Sequence, residues 1–550
     1  MAITVQKTFH KADDWAKLSD GFAQIKAAAS SATAEKPLNL TVELPNGATA
    51  VRRPLTLSAR ENPGLAYVSL TIRGQNGMRP VLTGLKTLPK VPVQTDGQGD
   101  YVYSFPPEDG EAPSFRELFV SNRLLEEAKG EPFVHPFSFA DYGGRDGMTE
   151  GGGIYVPREQ ASLFAGKDTE GLLLCLFVEW EFYAVHVAGF DFSSVREKDG
   201  KEYVLAKIRE DEFAPMVSKI HPILNIDGRN AYFYNHPALF GEKEAFALDV
   251  RRGKLTFRLH TPIASYASVS YPAVEQIFGF EGMRNVTLRG LTFTGTSSGY
   301  MGRNGYFSEQ ANGEKRAGKL PHAAVLTNDV RDFTVEDCTF LALGGNGILM
   351  QDKTVNARIV GNTFTHIAMS GICMGNRTAK WDDEKNRQFA LTVENNTLTH
   401  IGYGYPSSAA IFVGMADGLS LCRNTIKDTS YSAVSVGWFR LPEDDRYPGE
   451  TVCIRRAEIA YNRISDYMRL LRDGAAIYVM GMNAAVAYAG ALNTMHHNYA
   501  EQTEVKDASS RGYYLDASSS NWEVYDNVCV GSALPVFSQF HVKSQYTHHN

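Results

Sequence analysis

From about residue 285 onward one short phrase keeps returning: RGLTF (289–293), EDCTF (336–340), GNTF (361–364), NNTL (395–398), RNTI (423–426), YNRI (461–464), HHN (496–498), DNV (526–528) and HHN (548–550). The asparagines fall at 362, 396, 424, 462, 498, 527 and 550, with successive gaps of 34, 28, 38, 36, 29 and 23 residues. Cys338 holds the same slot 24 residues before Asn362. A repeat with a fixed minimum and variable insertions is the mark of a solenoid, in which a unit buries its apolar face only against its neighbours.

Each phrase follows an alternating segment such as FTVED, ARIVGN, LTVENN, LSLCRN, AEIAYN or WEVYDN, and a period of two marks a strand. Roughly ten to fifteen residues later comes a second short strand with Gly or Ala in front: NGILM, SGICM, SAAIFV, SAVSV, GAAIYV, RGYYLD. Three short strands per coil, stacked coil on coil, predict an all-β chain folded as a right-handed parallel β-helix. Asparagine suits the turn because it tolerates left-handed backbone angles and its amide hydrogen-bonds locally, so a ladder can run between coils. The ladder asparagines are therefore read as structural. So are His366 and His400, which follow the phrase in NTFTHI and NTLTHI.

Trp15, Leu18, Phe22, Ile25 and Ala29 recur at helical spacing behind Asp13 and Asp14, which predicts an amphipathic helix covering the first coil. LNLTVELPNGATAVRRPLTLSA and VSLTIRGQNGMRPVLTG read as first coils with Asn-Gly turns. Between about 105 and 275 the phrase disappears from a stretch rich in Pro, Gly and aromatics. The expected organisation is a capping helix and first coils over 1–104, an inserted β-rich subdomain over 105–275, and the main β-helix over 276–550.

A net charge of −7 across 550 residues, with no Lys/Arg run, gives no footprint for a nucleic-acid backbone. No apolar run approaches the length of a membrane span, and MAITVQKTFHKADDW lacks the n- and h-regions of a signal peptide. The six cysteines are scattered without zinc-type spacing and read as buried thiols. No cofactor or metal is expected. WDDEKNR (381–387) and QANGEKRAGK (310–319) read as a solvated loop and a loop over a groove. The chain stops on Asn550, a ladder residue, so further sequence or a partner is expected over the last strands.

The order of TLSARENPGLAYVSLTIRGQNGMRPVLTG, FRELFVSNRLLEEA, ALDVRRGKLTFRLH, EQIFGFEGMRNVTLRGLTFTGT, SAVSVGWF, DGAAIYVMG and YYLDASSSNWEVYDNVCVG resembles the β-helix glycoside hydrolases of family 141. That family includes an α-L-fucosidase acting on pectic glycans and a xylanase. The resemblance runs over most of the chain. It implies a secreted or periplasmic enzyme acting on an oligo- or polysaccharide, and it places the family's acidic pair on Asp473 and Asp516. Where relatives commonly read Asp-Gly-Gly-Gly-Ile-Tyr, this chain has Asp-Gly-Ala-Ala-Ile-Tyr from Asp473.

Glycosidic cleavage needs one protonated carboxyl for the leaving oxygen and a second carboxylate as nucleophile or base. Acids on adjoining coils meet that need, because stacked strands lie about 4.8 Å apart. If Gly474 and Gly512 share a register, Ile477 matches Leu515 facing inward and Tyr478 matches Asp516 facing solvent. Asp473 then lies five positions from the Asp516 slot, about 16 Å of extended strand. Trp438, Tyr478 and Trp522 are candidate sugar platforms, and His541 is a candidate sugar contact. Two other classes fit a β-helix: a polysaccharide lyase acting on uronates, which needs a base such as Arg or Lys and charge neutralisation, and a non-catalytic carbohydrate-binding solenoid.

Overall fold

The computed structural model describes all residues except 1, 6–14, 90–92, 95–98, 107–111, 122, 221–230, 264–267, 309, 312–321, 376–386, 439–452, 481–491, 505–509, 517–518 and 539–544. The chain divides into two units, one formed by 1–85, 274–296 and 320–550 and the other by 86–273 and 297–319. His541 and the two loops singled out above, save for a few of their end residues, lie outside the described residues.

The first unit is a parallel β-helix of three sheets. A twelve-stranded sheet runs in order from Ala2–Val5 and Leu38–Leu44 through Val355–Val360 and Ile454–Ala460 to Trp522–Tyr525 and Gln545–His548. Two ten-stranded sheets accompany it. One, here the site sheet, runs from Leu55–Ser58 through Val434–Val436, Gly474–Val479 and Ser510–Leu515 to Leu534–Ser538. The other runs from Ala48–Ala50 through Thr363–Ile367 to Val528–Val530. Chain segments separated by tens of residues thus become hydrogen-bonded neighbours, as in the pairing of Ala460 with His496.

The asparagine ladder is present. From Asn396 onward each amide oxygen accepts from both the backbone N–H and the side-chain amide of the preceding ladder asparagine, as Asn396 does from Asn362 and Asn462 from Asn424, all at 2.9–3.0 Å, while Asn362 accepts from the Cys338 N–H. Each Nδ2 also donates to a carbonyl of the coil before, for example Asn424 to Val393. One part of the sequence reasoning needs correction. The left-handed angles belong to the residue before each ladder position: Asp337 before Cys338, and Gly361, Asn395, Arg423, Tyr461, His497, Asp526 and His549 before the asparagines, with φ between 51° and 70°. The asparagine is selected by its amide alone, which can donate and accept at once in a buried place.

Rung spacing also organises the interior. Phe293, Phe340 and Phe364 occupy one register column and stack with centroids 4.9 and 4.6 Å apart, close to the ~4.8 Å between strands. The helix Trp15–Ala29 buries Leu18, Phe22, Ile25 and Ala29, and Phe22 stacks on Phe278 at 5.5 Å. Each of its larger apolar side chains contributes roughly 1.5–3 kcal/mol by leaving water. All six cysteines are free thiols, five buried and Cys529 half-buried.

The second unit is built from antiparallel sheets. The largest orders Gly153–Pro157, Lys201–Ile208, Glu181–Lys198, Leu173–Val178 and Ala231–Tyr234, with Tyr306–Phe307 also pairing to Glu181–Lys198. Its core gathers Leu174, Leu176, Val185, Met216 and Phe233.

Candidate active site

Four neighbouring strands of the site sheet carry the residues of interest. Their register aligns Ser435, Tyr478, Tyr514 and Phe537 in one column, and Val434, Ile477, Tyr513 and Val536 in the next. The Tyr513 hydroxyl donates to the carbonyls of Asn498 and Val528, so that side chain points into the solenoid. Alternation sends Tyr478 and Tyr514 to the opposite, outer face.

This register corrects the expected alignment of Gly474 with Gly512. Gly474 pairs with Ser510, Ile477 with Tyr513 and Tyr478 with Tyr514. The two glycines answer different steric demands. A Cβ on Gly474 would lie 2.6 Å from Met468 Sδ and Ser432 Oγ, whereas one on Gly512 would lie 2.4 Å from Cys529 Sγ. Gly512 belongs instead to the column Gly347, Gly371, Ala410, Ala433, Ala476, which precedes the aligned Ile348, Ile372, Ile411, Val434 and Ile477. The correction is an even number of residues, so the side chains keep the inner or outer side they were assigned, but the expected solvent exposure is not found: on the outer side Tyr478 is fully buried and Asp516 is only 8% exposed.

Asp516 consequently falls opposite Met480, seven positions beyond Asp473 rather than five. Asp473 precedes its strand with φ +50°, which turns the backbone out of the strand direction at that residue. Its carbonyl accepts from the Tyr431 hydroxyl at 2.9 Å, which pins the turn. Two tyrosines on the acids' strands each reach one carboxyl. Tyr514 brings its hydroxyl to 3.5 Å from Asp473 Oδ1, and Tyr478 donates to Asp516 Oδ2 at 2.5 Å, with their rings edge to face at 4.9 Å. Arg511 donates to Asp473 Oδ1 at 2.6 Å and lays its guanidinium over Tyr514 and Phe537 at 4.4 and 4.6 Å.

Burial dominates the electrostatics of Asp473. Burial raises the pKa of the Asp473 carboxyl, the negative charge of Asp516 adds to the rise, and Arg511 opposes it without reversing it. The Asp473 side chain keeps 20% of its surface exposed, while Asp516 is 8% exposed. Burial, then the charges of Asp473 and Asp516, raise the Tyr514 hydroxyl far above the ordinary tyrosine range, and Tyr478 is likewise raised by burial and by Asp516. Both hydroxyls therefore remain protonated donors beside the acids.

The proposed sugar platforms fare differently. Trp438 is 1% exposed, donates from Nε1 to Ser435 Oγ and lies against Tyr478 with planes 12° apart, so it offers no free face. Tyr478 is fully buried and contributes its hydroxyl rather than its ring. Trp522 is fully buried on the twelve-stranded sheet, between Asn493 and Gln545, and is a packing residue. Arg511, Tyr514 and Tyr431 were not anticipated, although Tyr514 shares the face of Asp516 by simple alternation. Among the described residues no group of three or more His, Cys, Asp or Glu side chains is arranged to hold a metal ion.

The comparisons with known proteins concern this architecture. Residues 323–533 match the family model described as right handed beta helix region. A solved structure titled "Glycoside hydrolase" matches with a TM-score of 0.78 at 17% identity, covering 96% of this chain and 92% of that one. The fold is a right-handed parallel β-helix. Two further solved structures match more loosely. The complex of XylC with xylose has a TM-score of 0.38 at 10% identity, over 92% of this chain and 66% of that one. The family 28 exopolygalacturonase of Yersinia enterocolitica has a TM-score of 0.29 at 10% identity, over 95% and 74%. No curated protein sequence matches significantly.

Proposed function

We propose that this β-helix is a glycoside hydrolase in which Asp473 is the general acid and Asp516 its carboxylate partner. The observation that carries the reading is a pair of carboxyls each met by the hydroxyl of one of two tyrosines packed edge to face, with the pKa of Asp473 raised by burial and by the charge of Asp516. A carboxyl whose pKa is raised, with a second carboxyl close enough for its charge to contribute, suits the general-acid role of glycosidic cleavage. Protonated Asp473 gives its proton to the leaving oxygen as the bond to the anomeric carbon breaks. Asp516, held by Tyr478, either bonds to that carbon or takes a proton from the attacking water. Arg511 orients the Asp473 carboxyl between turnovers.

The resemblance to family 141 points to a plant-type or host glycan, α-L-fucosidase-like or xylanase-like in linkage, met outside the cytoplasm. The test is release of monosaccharides and short oligosaccharides from pectic and hemicellulosic glycans. Wild type should release sugar, and Asp473→Asn and Asp516→Asn should each lower the rate by about 10²–10⁴. Arg511 beside the acids is the one feature that favours β-elimination instead, and unsaturated products absorbing in the ultraviolet would replace hydrolysis with that reading. Full activity in both Asn variants would refute the assignment of the pair.

A further inference from the structure

Two of the repeated phrases place histidines side by side, His496 with His497 and His548 with His549. In the twelve-stranded sheet His496, Tyr525 and His548 share one register column. Their rings stack in succession, with centroids 4.8 and 5.2 Å apart and planes within 16° and 4°. The following residue in each coil, His497, Asp526 or His549, sits at the left-handed corner, with φ of 54°, 51° and 53°. That corner swings the second ring of each pair nearly perpendicular to the first, with an angle of 87° in both cases. As a result Nδ1 faces Nδ1, at 3.0 Å between His496 and His497 and at 3.3 Å between His548 and His549.

Three of the four far nitrogens lie towards carboxylates. His496 Nε2 is 3.3 Å from Glu458 Oε1, His548 Nε2 is 3.2 Å from Glu523 Oε1, and His497 Nε2 is 3.8 Å from Asp526 Oδ2. In these three rings a carboxylate towards Nε2 favours the ring proton there and leaves the Nδ1 lone pair available, while His549 has its carboxylate neighbour, Asp526, on the Nδ1 side. Two such lone pairs at 3.0 Å repel unless a positive centre lies between them, either a shared proton or a metal ion.

We infer that each histidine pair is a two-nitrogen chelate for a divalent late first-row transition ion such as copper, nickel or zinc, the ions that imidazole suits. With metal–nitrogen bonds of about 2.0–2.1 Å, a 3.0 Å bite subtends roughly 95° and a 3.3 Å bite roughly 105–110° at the ion, both ordinary coordination angles. Asp526 Oδ1, 3.9 Å from His549 Nδ1, stands near the second pair, and water completes each shell. These histidines belong to a different sheet from Asp473 and Asp516, so the inference is independent of the hydrolase reading.

The experiment is titration of the full chain, carrying no histidine tag, with Cu(II) alone, read by calorimetry and electron paramagnetic resonance. Wild type should bind two equivalents showing coupling to two nitrogens. His497→Asn and His549→Asn should each remove one equivalent, and the double variant both. Asparagine tolerates the left-handed corner, and an unchanged metal-free melting curve confirms that the variants fold. Equal copper uptake by wild type and double variant, or none by wild type, would overturn the inference and leave a shared proton between the rings.

Discussion

Replacing Asn424 by Ala tests whether the ladder is a working part of the fold. Asn424 is 1% exposed. Its Oδ1 accepts from the backbone N–H and the Nδ2 of Asn396 at 3.1 and 3.0 Å, and its Nδ2 donates to Val393 O and Asn462 Oδ1 at 2.9 and 3.0 Å. Truncation leaves the buried Asn396 N–H without its acceptor, at a cost of about 1–3 kcal/mol, and removes three further bonds of about 0.5–1.5 kcal/mol each. A net loss of about 3–5 kcal/mol is expected once partial entry of water is allowed for. A long solenoid need not unfold in one step, so the sharper assay is amide hydrogen exchange. Protection of the Asn396 amide should fall by about two to four decades, at 1.36 kcal/mol per decade. The exposed Lys427 on the same coil supplies the control, since Lys427→Ala should change stability by less than about 0.5 kcal/mol. If Asn424→Ala costs under about 1 kcal/mol and leaves exchange near Asn396 unchanged, the ladder is a geometric coincidence of stacked corners.

Three further outcomes follow from the same structure. Burial raises the folded pKa of Asp473 above its ordinary 3.8, so the native state binds more proton than the unfolded chain; stability should fall as pH rises through that folded value, and Asp473→Asn should flatten the slope in urea titrations across pH 4 to 8. His366 behaves in the opposite sense, because burial, then His400, depress its pKa from 6.5 to about 4. Its contribution is complete above pH 6.5 and is lost as pH falls towards 4, and His366→Asn, which tolerates the φ of +57° there, should reduce that acid sensitivity in thermal melts. With five of six thiols buried and burial raising the pKa of Cys338 to about 12, an aromatic disulfide reagent should label at most Cys529 quickly in the native protein and all six after denaturation.

Much of the fold could be read from the chain because solenoid repeats write local rules many times over. The period-two segments before each Asn, the Gly or Ala before each second strand, and the helical spacing of Leu18, Phe22, Ile25 and Ala29 all concern residues that meet near neighbours or their counterparts one coil away. The ladder was legible for the same reason, but its backbone logic was not. Sequence alone does not distinguish an asparagine kept for its φ from one kept for its amide, and only the hydrogen bonds of Asn362 to Asn396 and onward show that the amide decides. The second unit carries no repeat, so only its general strand content was apparent.

The site shows where this kind of reading stops. Matching Gly474 to Gly512 treated two glycines as one signal, although one makes room for Met468 and Ser432 and the other for Cys529. The better guide was the small residue directly before each apolar pair, since Gly347, Gly371, Ala410, Ala433, Ala476 and Gly512 already stand in register in the sequence. Taking that column first puts Tyr514 beside Tyr478 and so brings both hydroxyls to the outer face that Asp516 occupies. It does not bring in Asp473, whose approach depends on the turn at φ +50° and on Arg511 from the next coil. Trp438 and Trp522 show the complementary difficulty: a large ring at the end or start of a strand is equally a lid over a polar cluster or filling for a core, and burial alone separates the two. In a solenoid the repeated positions set the scaffold, and the proposed site collects where one coil departs from its neighbours. Asp473, Arg511 and Asp516 are such departures, whereas every ladder asparagine is not.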